Sequence, residues 1–275
     1  MEDITFRALN ILRESDVIAA EDTRQTLKLL NHYGIKKKLI SYYEHNKIKQ
    51  GNYLIKLLLE GKNIALVSDA GTPGISDPGE DLIKLAIEEG IKVVAAPGPT
   101  AAITGLVVSG LPTNRFVFEG FLPMNKKSRK ERLSEIKKEF RTMVLYEAPH
   151  KLRNTLNELF ETLGNRKIVI ARELTKKFEE VIRCTLKEAV EIYKEKTPKG
   201  EYVLILEGYC VDENIQDNIN KWEGIPIKEH LDYWIKNGLS RKEALKKVAE
   251  ERSMSRREVY DSIIKDKDEI CEENR

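Results

Sequence analysis

Leu66-Val67-Ser68-Asp69-Ala70-Gly71-Thr72-Pro73-Gly74-Ile75-Ser76-Asp77-Pro78-Gly79 begins as an apolar strand and runs into a loop holding three glycines, two prolines and two aspartates. Glycine lets a backbone approach a ligand and reach positive φ, and proline fixes the path between glycines. The carboxyl ends of strands are also where open α/β sheets bind ligands. An ordinary strand-to-helix turn uses the same residue types, so one such loop decides little. The next connection repeats the pattern. After a helix-period stretch over Leu82 to Ile87, a strand predicted over Lys92-Val93-Val94-Ala95 ends in Ala96-Pro97-Gly98-Pro99-Thr100, and a small-residue helix from Ala101 to Ser109 follows. Two consecutive strand ends with exposed backbone define a crevice, which points to a binding site.

Working outward, the first third alternates the two periodicities. Helices are predicted over Asp3 to Glu14, after Arg24 and over Asn46 to Glu60, with strands over Asp16 to Ala20, Lys38 to Ser41 and Ile64 to Ser68. This alternation argues for a parallel sheet flanked by helices, in an amino-terminal α/β domain of residues 1–112 closed near Leu111-Pro112-Thr113. Residues 113–210 read as a second α/β domain with a mixed sheet. Its strands are predicted over Phe116 to Glu119, Met143 to Tyr146, Ile168 to Ala171 and Tyr202 to Leu206, and its helices over Ser128 to Phe140, His150 to Leu163 and Leu186 to Lys196. Polar Val211 to Asn220 reads as a linker. Residues 221–275 read as a small helical, RNA-binding-like unit with two capping boxes, Ser240-Arg241-Lys242-Glu243 and Ser255-Arg256-Arg257-Glu258. Their helices, joined by Arg252-Ser253-Met254, resemble a helix-turn-helix. From Arg241 to Arg257 seven Lys or Arg face three Glu, an excess that suits either a phosphate backbone or a solvated face.

Bulk composition narrows the function classes. The 275 residues are 41% hydrophobic and 33% charged, the make-up of a globular protein. No apolar run approaches the roughly 20 residues of a membrane span and no signal peptide opens the chain, so a cytoplasmic protein is expected. Cys184, Cys210 and Cys271 are widely spaced and form no ligand pair with His32, His45, His150 or His230, so neither zinc nor a disulfide framework is expected. The net charge of +2 announces no nucleic-acid binder overall but leaves room for local basic patches. No G-x-G, Walker A or G-x-S-x-G motif occurs, which removes most support for hydride transfer, ATP hydrolysis and serine hydrolysis.

Four polar clusters sit at predicted strand ends: Ala20-Glu21-Asp22-Thr23-Arg24, Tyr146-Glu147-Ala148-Pro149-His150, Ala171-Arg172-Glu173-Leu174-Thr175-Lys176 and Lys199-Gly200-Glu201. Singly, each reads as a helix cap or surface ion pair. Together with Glu2-Asp3-Ile4-Thr5, the 68–79 loop, Pro97-Gly98-Pro99-Thr100-Ala101 and Glu119-Gly120-Phe121-Leu122-Pro123, the first three of them make the chain similar over nearly its whole length to the small-subunit ribosomal RNA methyltransferases of the tetrapyrrole (corrin/porphyrin) methylase superfamily. The resemblance implies a two-domain α/β homodimer that needs no metal and holds S-adenosyl-L-methionine between its domains. It implies 2'-O-methylation of a cytidine ribose in the decoding region of 16S rRNA within the small ribosomal subunit.

Carried over by motif, Ser68, Asp69, Ala70, Gly71, Thr72, Pro73, Ser76, Asp77, Pro97, Gly98, Pro99, Thr100 and Ala101 bind the cofactor. Asp22, Arg24, Arg172, Glu173 and Lys176 line the substrate side, with Glu21, Glu147 and His150 as catalytic candidates. Desolvation behind an apolar strand is expected to raise the pKa of Glu21, whereas His150 is a candidate because histidine is the side-chain type whose charge changes nearest neutrality, although Pro149-His150 also reads as a helix start. The base is expected to be Glu21 or Glu147, with Arg24, Arg172 and Lys176 as phosphate or orientation contacts. Lys126-Lys127-Ser128-Arg129-Lys130 brings five basic residues by Arg132 to a predicted helix start, where cations oppose the dipole; Lys126, Lys127 and Arg129 are therefore expected on the rRNA backbone.

One departure from the resemblance stands at the start. Relatives begin with a strand and a Thr-Pro-Ile-Gly-Asn-Leu-like turn before the Glu-Asp-Ile-Thr segment, which this chain reaches at once. The first strand is expected to be missing, leaving unpaired backbone groups and an exposed apolar face. Two other readings stay open: a methylase of tetrapyrrole precursors, which the cofactor loops alone do not separate from an RNA methylase, and, because of the missing strand, a catalytically impaired small-subunit rRNA binder.

Overall fold

The structure, a computed structural model, describes residues 1–209, 222, 224–252 and 254–262. The predicted linker over 211–220, together with Cys210, Ser253 and Cys271, lies outside the described residues. The chain forms two compact units, Met1–Gly208 and Tyr209–Arg275. The break expected near Leu111-Pro112-Thr113 thus falls inside one unit, between its two sheets.

In the first unit, α1 (Phe6–Glu14), β1 (Val17–Ala20), α2 (Thr23–His32), β2 (Lys38–Ser41), α3 (Lys47–Leu59) and β3 (Ile64–Val67) build a parallel sheet of order β2-β1-β3. Val17 stands opposite both Lys38 and Ile64. Central β1 is buried along its whole length, which is why it reads as an unbroken apolar run. Helix α1 starts where the Thr5 hydroxyl accepts from the Ala8 amide, and α2 where the Asp22 carboxylate accepts from the Arg24 amide. Helix α4 (Gly79–Glu88) joins α3 and the sheet through Leu54, Ile55, Leu82 and Ala86.

The strand predicted over Lys92 to Ala95 does not form: these residues join no ladder among the described residues, and β3 pairs only with β1. A strand is defined by its partner, and β propensity alone does not create one. Val93 and Val94 are consequently 44% and 65% exposed.

Helix α5 (Ala101–Ser109) leads into the second, mixed sheet: β4 (Phe116–Phe121), β5 (Thr142–Glu147), β6 (Lys167–Arg172), β7 (Glu180–Thr185) and β8 (Tyr202–Leu206) in the order β4-β5-β8-β6-β7. Only β4 and β5 run parallel; the other pairs are antiparallel. Strand β7 is an element the sequence reading missed. One face of this sheet takes α6 (Lys126–Ile136), α7 (Leu152–Leu163) and α8 (Leu186–Glu195) around a core including Met143, Leu156, Leu159, Ile170 and Leu204. The other face takes α5, whose Gly105 lies so close to β8 that a Cβ there would stand 3.1 Å from the Val203 side chain.

The second unit holds α9 (Ile227–Lys236), α10 (Arg241–Glu251) and a helical stretch at 256–262, packed around Leu231, Ala244, Val248 and Val259. Both capping boxes form. His230 is fully buried and stacks on Trp222 at 3.6 Å. Its Nδ1 lies 3.1 Å from Arg252 Nε, and its Nε2 lies 2.8 Å from Glu251 and 3.1 Å from Trp234 Nε1, so the ring is held on both edges.

Candidate functional site

The two glycine loops meet. Thr72 Oγ1 donates to the Pro99 carbonyl at 3.2 Å, and Thr5 Oγ1 donates to the Pro97 carbonyl at 3.0 Å. Gly71 has φ +80°, and a Cβ there would lie 3.2 Å from the Pro99 oxygen, so glycine both permits the turn and lets the loops close. The 68–79 loop is held from within. Asp77 Oδ1 accepts from the Gly74 amide at 2.9 Å and the Gly79 amide at 2.7 Å. Ser76, at φ +60°, is held left-handed beside the bulge of β4 at Gly120.

These loops form one wall of a cleft of about 1040 Å³, which continues along the free edge of β3 and Lys92 to Ala95. All thirteen residues expected at the cofactor line it, as do Glu21, Glu147, Glu173 and Lys176. Asp22, Arg24, Lys126, Lys127, Arg129, His150 and Arg172 do not.

The three catalytic candidates stand in different surroundings. Glu21 follows β1, and burial pushes its pKa up against a backbone hydrogen bond from Asp69; the charges of Asp69, Asp77 and Asp22 push it further. Glu147 is 4% exposed, and its carboxylate accepts from Thr155 Oγ1 at 2.5 Å and from the Ala148 amide at 2.8 Å. That ties the end of β5 to α7 and engages both carboxylate oxygens of Glu147 within the protein. His150 is exposed, outside the cleft.

Many of the charged residues expected at substrate are engaged within the protein. Arg129 is buried, donating to Glu158 at 2.6 Å and to Thr155 at 2.6 Å, so it fastens α6 to α7 instead of facing outward with Lys126 and Lys127. Arg132 is bidentate to Glu119 of β4. Lys126, Lys127 and Lys130 remain exposed at the start of α6, where Asn125 caps the helix. Arg172 bonds Glu180, and its Nε is buried without a partner among the described residues. Lys176 bridges Glu173 and Glu201; against burial, which lowers its pKa, both carboxylates raise it. The Glu201 amide in turn donates to Glu173 and holds that carboxyl below its usual range. Arg24 is open to solvent at the cleft's edge, and its guanidinium holds Asp22 down to about 2.

Thr5 and Tyr146 were given no role by the sequence reading. Thr5 is visible in sequence as a helix cap, but its second bond, to Pro97, spans 92 residues and leaves no local signal. Among the described residues, no cluster of three His, Cys, Asp or Glu fits a metal ion, and no helix is long and apolar enough to cross a membrane.

An α/β pair of sheets with two glycine loops closing on a carboxylate-floored cleft defines a methylase-like class of fold. The profile of the family Tetrapyrrole (Corrin/Porphyrin) Methylases matches residues 1–190, and the chain belongs to that family. It is 51% identical over 260 residues to the Ribosomal RNA small subunit methyltransferase I of Halalkalibacterium halodurans, covering 94% of this chain and 89% of that one. The protein of the same name from Bacillus subtilis is 47% identical over 262 residues, covering 95% and 89%. Among solved structures, the methyltransferase CobJ superposes with a TM-score of 0.57 at 17% identity, covering 75% of this chain and 89% of that one. Diphthine synthase superposes with a TM-score of 0.56 at 15% identity, covering 75% and 85%. At such identities the likeness shows the fold. Methyltransferases of this family use S-adenosylmethionine.

Proposed function

We propose that this protein methylates small-subunit ribosomal RNA from S-adenosylmethionine, at the 2'-hydroxyl of a cytidine ribose in the decoding region of 16S rRNA, as a cytoplasmic homodimer. The names of relatives at 47–51% identity support the RNA substrate. The observation that carries the chemistry is Glu21, a carboxylate of raised pKa in the same cleft as both glycine loops.

The cleft fits the cofactor. The cradle where Gly71 meets Pro99 has no room for a side chain, and a Cβ at Gly98 would stand 3.4 Å from Thr72 Oγ1, so backbone groups are open to a ligand. Glu21 and Asp69 supply negative charge suited to a sulfonium, and the start of α5 supplies amides suited to a carboxylate. Ser68 to Pro73, Ser76 and Pro97 to Ala101 would hold it. Asp77 would act by shaping the loop. The bound group supplies an electrophilic methyl.

The chain's own residues place the reactants and take up a proton. Alignment of this kind supplies roughly 7–11 kcal/mol of a barrier, and a positioned base adds about 10²–10⁴-fold. Glu21 accepts the proton of the attacking hydroxyl; desolvation that raises its pKa makes it a stronger base than an exposed carboxylate. Lys126, Lys127 and Lys130 meet the RNA backbone, with Arg24 at the cleft's edge orienting the substrate.

Single-turnover methylation of small ribosomal subunits with labelled donor tests the assignment. Glu21→Gln is expected to slow the step by at least 10²-fold with donor still bound, and a normal rate would remove Glu21 from the chemistry.

A further inference from the structure

In most parallel sheets the loop after a strand inherits its position from the ladder. Here the segment preceding Pro97-Gly98-Pro99-Thr100 joins no ladder, so that loop is fixed by other means. Three hydroxyls do it. Thr5 holds the Pro97 carbonyl, Thr72 holds the Pro99 carbonyl, and Tyr146 Oη accepts from the Ala102 amide at 3.1 Å. The last bond stands in for an absent cap, since Thr100 makes no side-chain bond to the first turn of α5.

Tyr146 is well suited to act as a fixed post. Its backbone lies within the second sheet, opposite Phe121 on β4 and Val203 on β8. Its ring is wedged edge-on between Phe118, 5.0 Å away, and Phe121, 5.6 Å away. It also lines the cleft. The hydroxyl is therefore delivered from the rigid sheet to the start of α5, the end of the 97–101 segment.

We propose that Tyr146 is a positioning residue for the methyl donor: its hydroxyl tethers the start of α5 and so holds the Pro97 to Ala101 wall of the cleft in its binding shape. The inference rests on the cofactor assignment proposed above. It predicts a role for one oxygen atom, separable from the packing of the ring.

Tyr146→Phe keeps the ring and deletes the acceptor. Loss of a hydrogen bond of ordinary net strength corresponds to about a 5- to 10-fold change in an equilibrium constant. The dissociation constant and KM for S-adenosylmethionine should rise by about that factor, while kcat at saturating donor and KM for RNA stay within about twofold. In ligand-free protein, hydrogen exchange at the Ala102 amide should accelerate by a similar factor, which reads the tether without any cofactor. Phe118→Leu, which loosens the wedge and keeps the hydroxyl, should disturb donor binding less than Tyr146→Phe. Unchanged exchange at Ala102, an unchanged donor KM, or an equal effect from Phe118→Leu would each overturn the proposal. Wild-type protein that binds no donor by calorimetry, with the exchange difference intact, would instead overturn the proposed function and leave the tether standing.

Discussion

Asp77 was expected among the cofactor contacts, yet its carboxylate is spent on the loop itself, and that difference can be measured. Asp77→Ala strands two amides, those of Gly74 and Gly79, whose bonds to Oδ1 are 2.9 and 2.7 Å long. Hydrogen bonds to a charged acceptor contribute about 1.5–3 kcal/mol each, and partial access of water to this half-buried loop offsets some of that, leaving a net loss of about 2–4 kcal/mol. For a unit of this size each kcal/mol lowers Tm by roughly 2–4 °C, so thermal unfolding should shift down by roughly 5–15 °C. Asp77→Asn retains an Oδ1 that can accept from both amides and should lose less than half as much. If Asp77 shapes the loop, donor affinity measured by calorimetry will fall in the same order as Tm, alanine below asparagine below wild type. A direct contact to the donor predicts equal loss of affinity in both variants with Tm unmoved, and that result would refute the reasoning.

Glu21→Gln should raise Tm while it slows methylation. A carboxyl whose pKa is higher in the folded protein than in the unfolded chain contributes stability at low pH and loses it as pH climbs through the two values, so ionised Glu21 beside Asp69 and Asp77 is a cost at neutral pH. In wild type the single-turnover rate should rise with pH through a value above 4.5, and the glutamine variant should show no such rise; a shared profile would exclude Glu21 as the titrating group. Charge removal at Lys126 and Lys127 should weaken RNA binding and reduce the slope of log affinity against log salt by about 1–2, whereas Arg129→Ala should lower Tm first, because Arg129 is buried against Glu158 and Thr155. Gly200→Ala should detach the Glu173–Lys176–Glu201 cluster, since φ is +81° and a Cβ would fall 2.6 Å from Glu173 Cγ; an unchanged Tm would show that the loop simply shifts.

Elements with a strong local signature were legible. Fully buried β1, small-residue α5 and the capping boxes at Ser240 and Ser255 each carry their pattern in a few adjacent residues. Strand β7 was not legible because Glu180-Val181-Ile182-Arg183-Cys184-Thr185 mixes charge into an edge strand none of whose residues is fully buried, so it shows neither a clean alternation nor an unbroken apolar run. Lys92 to Ala95 failed in the opposite direction: Val93 and Val94 have strong β propensity, but propensity cannot supply the neighbour whose amides and carbonyls complete a ladder.

The site divides along the same line. Glycine loops were readable because close backbone approach needs glycine whatever the partner, so Gly71 announces a constraint even before Pro99 is known to impose it. Charged side chains carry no such mark. Arg129 and Lys126 carry the same charge three residues apart, yet Arg129 reaches Glu158 and Thr155 while Lys126 stays in solvent. Glu21 and Glu147 both end apolar strands, but Thr155 lies within reach of only the second. Spacing within a motif thus identifies which residues reach the sheet ends, and the partners supplied by distant helices decide which of them stay available for chemistry. At Glu21 burial first, and then the charges of Asp69, Asp77 and Asp22, raise the carboxyl pKa against the Asp69 backbone hydrogen bond, a perturbation of the kind that accompanies functional sites and that the proposed role as base would use.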